Sequence, residues 1–372
     1  MNSPDAQRLN QDYPVLLEYW NLGGVTRALA HFGLDGHEHA DSFLALLQAI
    51  GRNQLQTAQA IMLQMADSPG MLVPLDRVVQ CLYKILTMVS PGAATKVAKT
   101  LASQVLTRHP GNPDAEHLAL EFLLYFGYFD LAEKLLALSP ADRHMPQRAA
   151  LRRGRSRLSR FEPQTRVSYC ILTWNRAELL DRCLTELRAQ ARCQDYEIIV
   201  GVNASTDATA EVLARHGIEK VLWNVRNDSI DYYRDIMDAA TGEYLVEVDD
   251  NVVEFPPGFD EILLQHLQAF PEFAYLGIEP TRLSLSTGQQ ESMNIGGSLY
   301  TPCQADGLTV HQGPVWGCCA MIANRDYRRI NGLYGVRLSK DIGEEPQFIR
   351  KLLAHERKCG LLMGHRLVKA YP

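Results

Sequence analysis

The chain has 372 residues, of which 46% are hydrophobic and 22% charged, a balance typical of globular domains and unlike disordered, collagen-like or coiled-coil chains. At roughly 150 residues per domain, this length predicts two to three domains. The net charge of −6 is unevenly divided: residues 1–163 carry +1 and residues 164–372 carry −7. An acidic second half cannot supply the phosphate-neutralising surface of a nucleic-acid binder, but it could hold a cation that bridges to a smaller phosphate ligand.

Neither a transmembrane nor a secretory segment is predicted. No apolar run reaches the roughly 18 to 20 residues of a membrane span, and residues 1–14 are polar and acidic, unlike a signal peptide. A cytoplasmic protein is therefore expected, with peripheral membrane contact left open. The eight cysteines are scattered without a CxxC pair, which favours reduced core thiols over a zinc site or disulfides.

Residues 1–145 are predicted to form an all-helical domain. From residue 15 to about residue 140, apolar residues recur at helical spacing and almost nothing alternates with period two. The stretch from His109 through Gly127 to Pro140 loosely resembles a tetratricopeptide-type helical pair, with an ordinary helical domain as the alternative. Stacked helix pairs commonly offer a concave surface for peptides, so this domain is expected to bind an acceptor or a partner protein.

An arginine-rich linker is predicted over residues 146–166. Seven arginines lie between residues 143 and 160, and Arg166 follows closely. The arginines either form a solvated helix face beside a linker or a basic rim next to the active site. Such a rim would attract an anionic acceptor or membrane headgroups.

After Arg166 the pattern changes to alternating strands and helices. Short apolar runs predict strands at 167–173, 196–202, 220–224 and 244–248, and amphipathic segments predict helices at 177–190, 207–216 and 230–240. This order is typical of a parallel sheet covered by helices. Ligands bind such sheets at the carboxyl ends of the strands, so the functional residues are expected there.

Polar residues follow three of these strands. The first ends in Thr173-Trp-Asn-Arg176, the second in Asn203-Ala-Ser-Thr-Asp207, and the fourth in Asp249-Asp-Asn251, while GxGxxG and Walker loops are missing from the sequence. Adjacent carboxylates repel each other unless a partner offsets their charge. A hard divalent cation does so and also binds a diphosphate, which suits departure of a nucleoside diphosphate from a sugar. A simple helix cap or turn is the alternative interpretation.

These motifs, in this order, resemble those of the family 2 glycosyltransferases, which have the GT-A fold. Val167–Leu187 is similar to the opening strand and helix of that family, and Ile198–Thr209 to its second strand and turn. Gly242–Phe259 resembles its Asp-x-Asp region, and Trp316–Gly335 its acceptor-side segment. The resemblance spans residues 167 to about 368 and predicts an α/β GT-A catalytic domain over 167–372. It does not cover residues 1–150.

The resemblance implies a metal site and a catalytic base. Asp250 would bind Mn²⁺ or Mg²⁺, Asp249 would hold the ribose or share the metal, and His365 would be a third ligand. Glu345 is the first candidate for the base that an inverting transfer requires, because it lies in a Glu-Asp-like motif. Asp341 and Glu344 are the next candidates, and an acidic cluster that favours a helix N-terminus is the alternative.

The same resemblance implies a nucleotide-sugar pocket, whose expected residues are Thr173, Asn175, Arg176, Asn203, Asp249, Arg234 and Trp316. Surface exposure is the alternative for Arg234, and core packing for Trp316. Val202 stands where the family commonly has an Asp that accepts from uracil. A UDP-sugar therefore remains the first expectation, with GDP-, dTDP- and CMP-sugars open.

The sequence thus predicts an inverting, metal-dependent glycosyltransferase that acts on a hydroxyl acceptor. The acceptor is a protein or peptide held by the helical domain, or alternatively a surface polysaccharide or lipid-linked saccharide. A degenerate transferase that serves as a binding protein is the alternative from another class. A nucleotidyltransferase ranks last, because the loop after the first strand lacks glycines.

Overall fold

The computed structural model describes residues 113–292, 300–335 and 344–371, with isolated positions between residues 41 and 64. The helices predicted before residue 113 lie outside this part of the chain, apart from those isolated positions. The described residues form two compact units, which divide after Arg155.

The first unit contains a helical hairpin. Helix α1 (Pro113–Tyr125) and helix α2 (Phe129–Leu138) are joined at Gly127, whose φ of 74° suits a glycine. The buried apolar side chains of the pair include Leu120, Leu123 and Leu135. The two helices confirm the helical periodicity of this stretch, whereas a repeat array is not established.

The predicted linker contains a helix. Helix α3 (Met145–Ser159) spans the division between the two units, which falls after Arg155, within the predicted linker. Arg148 donates to the carbonyls of Leu136, Ser139 and Pro140, and Arg155 pairs with acidic residues of α2. These arginines therefore stabilise the helical unit itself, which is why the segment is ordered.

The second unit is built around one mixed sheet. Its strands are β1 (Thr165–Thr173), β2 (Tyr196–Asn203), β3 (Lys220–Asn224), β4 (Gly242–Asp249), β5 (Val252–Glu254), β6 (Phe273–Ser284), β7 (Gln290–Ser292), β8 (Thr301–Ala305), β9 (Leu308–Gln312), β10 (Cys319–Ala323) and β11 (Lys358–Tyr371). Its helices are α4 (Ala177–Gln190), α5 (Thr209–Arg215), α6 (Tyr233–Ala239, after a 3₁₀ turn at Ser229–Tyr232), α7 (Phe259–Ala269), α8 (Asn324–Arg329) and α9 (Glu344–Ala354).

The strand order is β3-β2-β1-β4-β10-β6-β11-β9-β8, with β5 on β11 and β7 on β6. The first four strands are parallel, as predicted, and β10 then pairs antiparallel with β4. The parallel strands are apolar on both faces because helices cover both sides. Tyr169 and Ile171 of β1 pack in the core with α4, and Cys170 packs with α6 on the other face.

Two strand-end turns are tied together by side chains. The backbone N–H of Thr206 donates to Asn175 Oδ1 at 2.7 Å, and the N–H of Asn175 donates to Ser205 Oγ at 3.0 Å. Asp207 accepts from the N–H of Ala177, the first residue of α4, at 2.9 Å. The second-strand turn therefore caps the helix that follows the first strand.

Replacement of Asp207 by alanine is expected to lower the free energy of unfolding by about 1 kcal/mol, since it removes this cap. Partial burial opposes ionisation, but hydrogen bonds from Thr209 and Ala177 hold the pKa of Asp207 below its ordinary value. A depressed carboxyl pKa stabilises the fold above the unfolded-state pKa, about 3.9, and the contribution is lost as pH falls through the folded-state pKa. Urea unfolding of wild type and Asp207→Ala should therefore differ most at neutral pH. A difference that does not change between about pH 6 and pH 3 would contradict this role.

Candidate active site

The predicted carboxylates meet the end of β1 at the carboxyl edge of the parallel strands. Leu172 of β1 pairs with Asp249, which brings the adjacent Thr173 beside Asp250. Asp250 is 3% exposed and accepts from Thr173 Oγ1 and from Arg176 Nη1, each at 2.9 Å. Burial raises the pKa of Asp250, although Arg176 favours its ionised form. Thr173, Arg176 and Asp250 thus form one hydrogen-bonded group.

Asp249 is held by a lysine that the sequence did not single out. Lys369 Nζ of β11 forms an ion pair with Asp249 Oδ2, and the Asp249 backbone N–H donates to the Cys318 carbonyl at 3.0 Å. Burial disfavours the charge of Lys369, but Asp249 outweighs it and raises the lysine pKa. Side-chain exposure is 33% for Asp249 and 18% for Lys369, so both still reach solvent.

Backbone contacts fix this lysine beside the carboxylates. The Ala370 N–H donates to the Asn251 carbonyl at 2.8 Å, and Asn251 Nδ2 donates to the Ala370 carbonyl at 2.7 Å. Lys369 is therefore the β11 residue that lies at the end of β4. Asn251 Oδ1 is buried and has no hydrogen-bond partner among the described residues.

His365 lies elsewhere on β11. The prediction placed it after a strand that ends at Met363, but β11 continues to Tyr371, and its pairing with β6 shifts between Leu362 and Arg366. His365 lies in this irregular segment, with its ring centroid 6.1 Å from that of His266 on α7. Burial and His266 both lower the pKa of His365. The structure therefore pairs His365 with His266 and gives it no contact with the carboxylates.

Among the described residues, the two carboxylates are matched with cationic side chains, which does not fit the divalent cation implied by the resemblance. In the part of the chain that the structure describes, no group of three or more His, Cys, Asp or Glu side chains is placed to hold a metal ion. Asp249 and Asp250 are each paired with a cationic side chain instead. Asn251 Oδ1 is the one further oxygen beside them that is buried without a hydrogen-bond partner among the described residues.

The residues expected in the nucleotide pocket divide into two groups. Thr173 and Arg176 contact Asp250, whereas Asn175 and Asn203 hold turns together. Asn203 is 2% exposed; it donates to Asn227 Oδ1 at 2.7 Å and accepts from the Asp228 N–H at 3.0 Å. Trp174, absent from the predicted set, is 52% exposed. The signal for Trp174 in the sequence was a large aromatic residue directly after the end of a predicted strand.

Trp316 and Arg234 differ in how far their side chains pack into the core. Trp316 is partly buried and packs against both sheet cores. The next residue, Gly317, lies so close to Glu247 that a Cβ there would approach its carboxylate to 2.5 Å. Arg234 lies on α6 with its side chain 42% exposed, and its Nε is 3.6 Å from Asp235 Oδ1. Of the two, Trp316 lies in the segment that contacts Asp249, because the carbonyl of Cys318 in that segment accepts from the Asp249 backbone N–H.

The three acidic candidates for the base fall at the edge of the described chain. Helix α9 begins at Glu344, so Glu344 and Glu345 occupy its first turn, and their side chains are outside the described residues. Asp341 lies outside the described residues altogether. Their catalytic role stays a prediction.

Two arginines of the arginine-rich segment that belong to the second unit, Arg157 and Arg166, lie away from this edge. Arg166 pairs with Glu243, and both lie near the amino ends of β1 and β4, opposite the carboxylates. Arg157 likewise pairs with Asp238, at 2.7 Å, ahead of β4.

Among the described helices, none is long and apolar enough to cross a membrane. The seven described cysteines are all free thiols, and Cys81 lies outside the described residues.

Several solved structures resemble the chain at low sequence identity. S. aureus TarS residues 1–349 in complex with UDP is 12% identical with a TM-score of 0.41, over 55% of this chain and 60% of that one. The mannosyltransferase PcManGT from Pyrobaculum calidifontis, in complex with GDP-Man and Mn²⁺, is 15% identical with a TM-score of 0.40, over 74% of this chain and 69% of that one. Glucosyl-3-phosphoglycerate synthase from Mycobacterium tuberculosis is 16% identical with a TM-score of 0.28, over 33% of this chain and 45% of that one. The chain thus spans about 60% of the length of the TarS fragment.

No curated protein matches the sequence. The family model described as Glycosyl transferase family 2 matches residues 168–327. This match runs from β1 into α8, so it contains the parallel strands, both carboxylates and Trp316. The mixed sheet with helices on both faces fits the GT-A type of α/β domain. Residues 168–327 of the chain therefore match a family 2 glycosyltransferase domain.

Proposed function

We propose that the chain transfers a sugar from a nucleotide-sugar donor to a hydroxyl group, with inversion at the anomeric carbon. One observation carries the proposal. The family 2 domain brings Asp249 and Asp250 to the carboxyl edge of its parallel strands, where a ligand site of this sheet type lies. Two cationic side chains, Lys369 and Arg176, lie at the same edge and suit an anionic diphosphate.

The proposed reaction is a single displacement. The acceptor oxygen forms a bond to the anomeric carbon while the bond from that carbon to the diphosphate oxygen breaks. The nucleoside diphosphate leaves with the bonding electron pair, and the acceptor proton passes to a carboxylate base, for which Glu345 remains the first candidate. Cationic groups beside the leaving oxygen stabilise the charge that develops on it.

The donor base is proposed to stack on Trp174. Exposed Trp174 follows β1 directly and precedes Arg176, so a base on the indole would leave the diphosphate within the reach of Arg176. Val202 is 1% exposed and offers no hydrogen-bond acceptor, so its side chain does not select uracil. UDP-sugars remain the first candidates, and other nucleoside diphosphate sugars follow.

The acceptor is proposed to be a protein or peptide bound by the helical amino-terminal region. The described helical hairpin supports this, because helix pairs are a common scaffold for peptide recognition. A surface polysaccharide or lipid-linked saccharide is the second candidate acceptor.

The test is release of nucleoside diphosphate from a panel of UDP-, GDP- and dTDP-sugars, with water, peptides or oligosaccharides as acceptors. We expect turnover with one donor, and roughly tenfold weaker donor binding in Trp174→Ala, since base stacking contributes about 1–3 kcal/mol. Trp223→Ala is the matched control, because Trp223 is 58% exposed on the edge strand β3. A chain that binds nucleotides but turns over no donor would instead support the binding-protein alternative.

A further inference from the structure

We propose that Lys369 and Arg176 act as fixed cations in place of a divalent metal, so that the chain binds the diphosphate of its donor without a metal ion. This inference rests on the proposed function and deepens it. Four charged side chains carry it, namely the pairs Asp249–Lys369 and Asp250–Arg176.

Three of the four carboxylate oxygens of Asp249 and Asp250 have partners among the described residues. Lys369 Nζ occupies Asp249 Oδ2, Thr173 Oγ1 occupies Asp250 Oδ2, and Arg176 Nη1 occupies Asp250 Oδ1. A divalent ion on these carboxylates would have to share them with Lys369 and Arg176. Of the two cations, Lys369 is the less exposed, at 18%, so it depends more on Asp249 to offset its charge.

The charges of the four groups already balance. Two carboxylates and two cations sum to zero, which is the sum that one divalent ion on the same two carboxylates would give. A metal added to the intact group would leave two positive charges unmatched beside Lys369 and Arg176, and like charges at short range repel. The group therefore reproduces the electrostatics of a metal-loaded carboxylate pair.

Hydrogen bonds of the neighbouring residue hold Lys369 beside the carboxylates. Hydrogen bonds between Ala370 and Asn251 hold β11 against the end of β4 on the carboxyl side of Lys369. The same strand carries the expected third ligand, His365, in its irregular segment beside His266. The residue of β11 that reaches the carboxylates is therefore an ammonium group instead of an imidazole.

Both cations keep N–H groups for a ligand. The Arg176 side chain is 51% exposed, and among the described residues it donates through Nη1 alone. An ammonium group has three donors, and Lys369 uses one of them on Asp249. Arginine can bind phosphate oxygens through two parallel hydrogen bonds, while lysine acts as a compact point charge.

The test is a thermal-shift titration of the full chain with UDP, GDP and dTDP, in EDTA and again with added Mn²⁺ or Mg²⁺. A ligand that binds only the folded state raises its melting temperature in proportion to affinity and concentration. We expect one nucleotide to bind in EDTA with a Kd within about twofold of its value with metal. Lys369→Met should weaken that binding roughly 10- to 100-fold in EDTA, and Lys369→Arg should restore most of it.

Arg366→Met is the matched control. It removes a positive charge from the same strand, and Arg366 is exposed and bonded to Gln290 instead of the carboxylates. Its nucleotide affinity should equal that of the wild type. Circular dichroism of each variant without nucleotide establishes that the fold is retained. If Lys369→Met fails to fold, the nucleotide affinity of Lys369→Arg in EDTA is compared with that of the wild type instead.

Three results would overturn the inference. A shift that requires Mn²⁺ or Mg²⁺ and disappears in EDTA would mean that nucleotide binding assembles a metal site, with the proposed transferase function intact. Nucleotide binding in EDTA that Lys369→Met leaves unchanged would remove Lys369 from the site. Binding of none of the three nucleotides, with or without metal, would contradict both this inference and the proposed function.

Discussion

Asp250→Ala is expected to lower the rate of sugar transfer by about 100-fold or more, the range found when one electrostatic partner of an active site is removed. The substitution takes a carboxylate from Thr173 and Arg176 at once. Arg176 then loses the partner that orients its guanidinium toward the leaving diphosphate. The measurement is kcat/KM for the donor, with far-ultraviolet circular dichroism to show that the variant folds.

Asp250→Asn refines this result, because it keeps the side-chain shape and the acceptor for Thr173 while removing the charge. Asp181→Ala is the matched control, since Asp181 pairs with Arg215 and His216 away from the strand ends. A transfer rate for Asp250→Ala within twofold of the wild type, in a folded protein, would exclude a role for this carboxylate in the reaction.

Asp260→Ala is expected to have the largest effect on stability, lowering the free energy of unfolding by about 3–5 kcal/mol. Asp260 is fully buried at the start of α7. It accepts from the Tyr169 hydroxyl at 2.8 Å, from the Cys193 N–H at 2.8 Å and from the Arg192 N–H at 3.0 Å. Without the carboxylate, these three donors have no partner in the core. Urea unfolding at neutral pH measures the difference.

The neighbouring residue Glu261 provides the control, because it lies on the same helix turn and is exposed. Glu261→Ala should change stability by less than about 0.5 kcal/mol. Tyr169→Phe removes one of the three donors and should cost about 1–2 kcal/mol. An Asp260→Ala chain as stable as Glu261→Ala would show that water or a rearranged core satisfies the donors.

The alternating part of the fold followed from local sequence signals. The strands β1 to β4 and the helices between them were predicted because apolar runs and helical spacing are properties of neighbouring residues. The carboxylates Asp249 and Asp250 were found by the same route, since parallel strands end at one edge. The strands β10 and β11 pair with strands that are far away in sequence, and no local pattern reveals their place in the sheet.

For a related reason, some site residues could be predicted from the sequence and others could not. Thr173 and Arg176 directly follow β1, so their place at its end could be predicted. Lys369 reaches Asp249 only because β11 is irregular between Leu362 and Arg366 and then runs past Asn251. A register shift of this kind moves side chains relative to their partners, and it depends on pairing instead of composition. The role of His365 as a third ligand stays a prediction, and that register places it beside His266.

The structural roles of two polar residues were also hidden in the sequence. Asn175 and Asn203 follow strands, as ligand-binding residues do, yet each hydrogen-bonds a neighbouring turn. Asparagine suits both purposes, because its amide donates and accepts. Only the position of Thr206 and Asn227 around them distinguishes the two uses.

The central claim is that the edge formed by Asp249, Asp250, Arg176 and Lys369 binds the diphosphate of a nucleotide sugar. The most direct measurement is a crystal structure of the chain with its preferred nucleoside diphosphate, grown with EDTA. The account predicts the diphosphate at the carboxyl ends of β1 and β4, with its oxygens within hydrogen-bond distance of Lys369 and Arg176. A nucleotide bound elsewhere on the chain, with both ion pairs undisturbed and solvent at this edge, would contradict it.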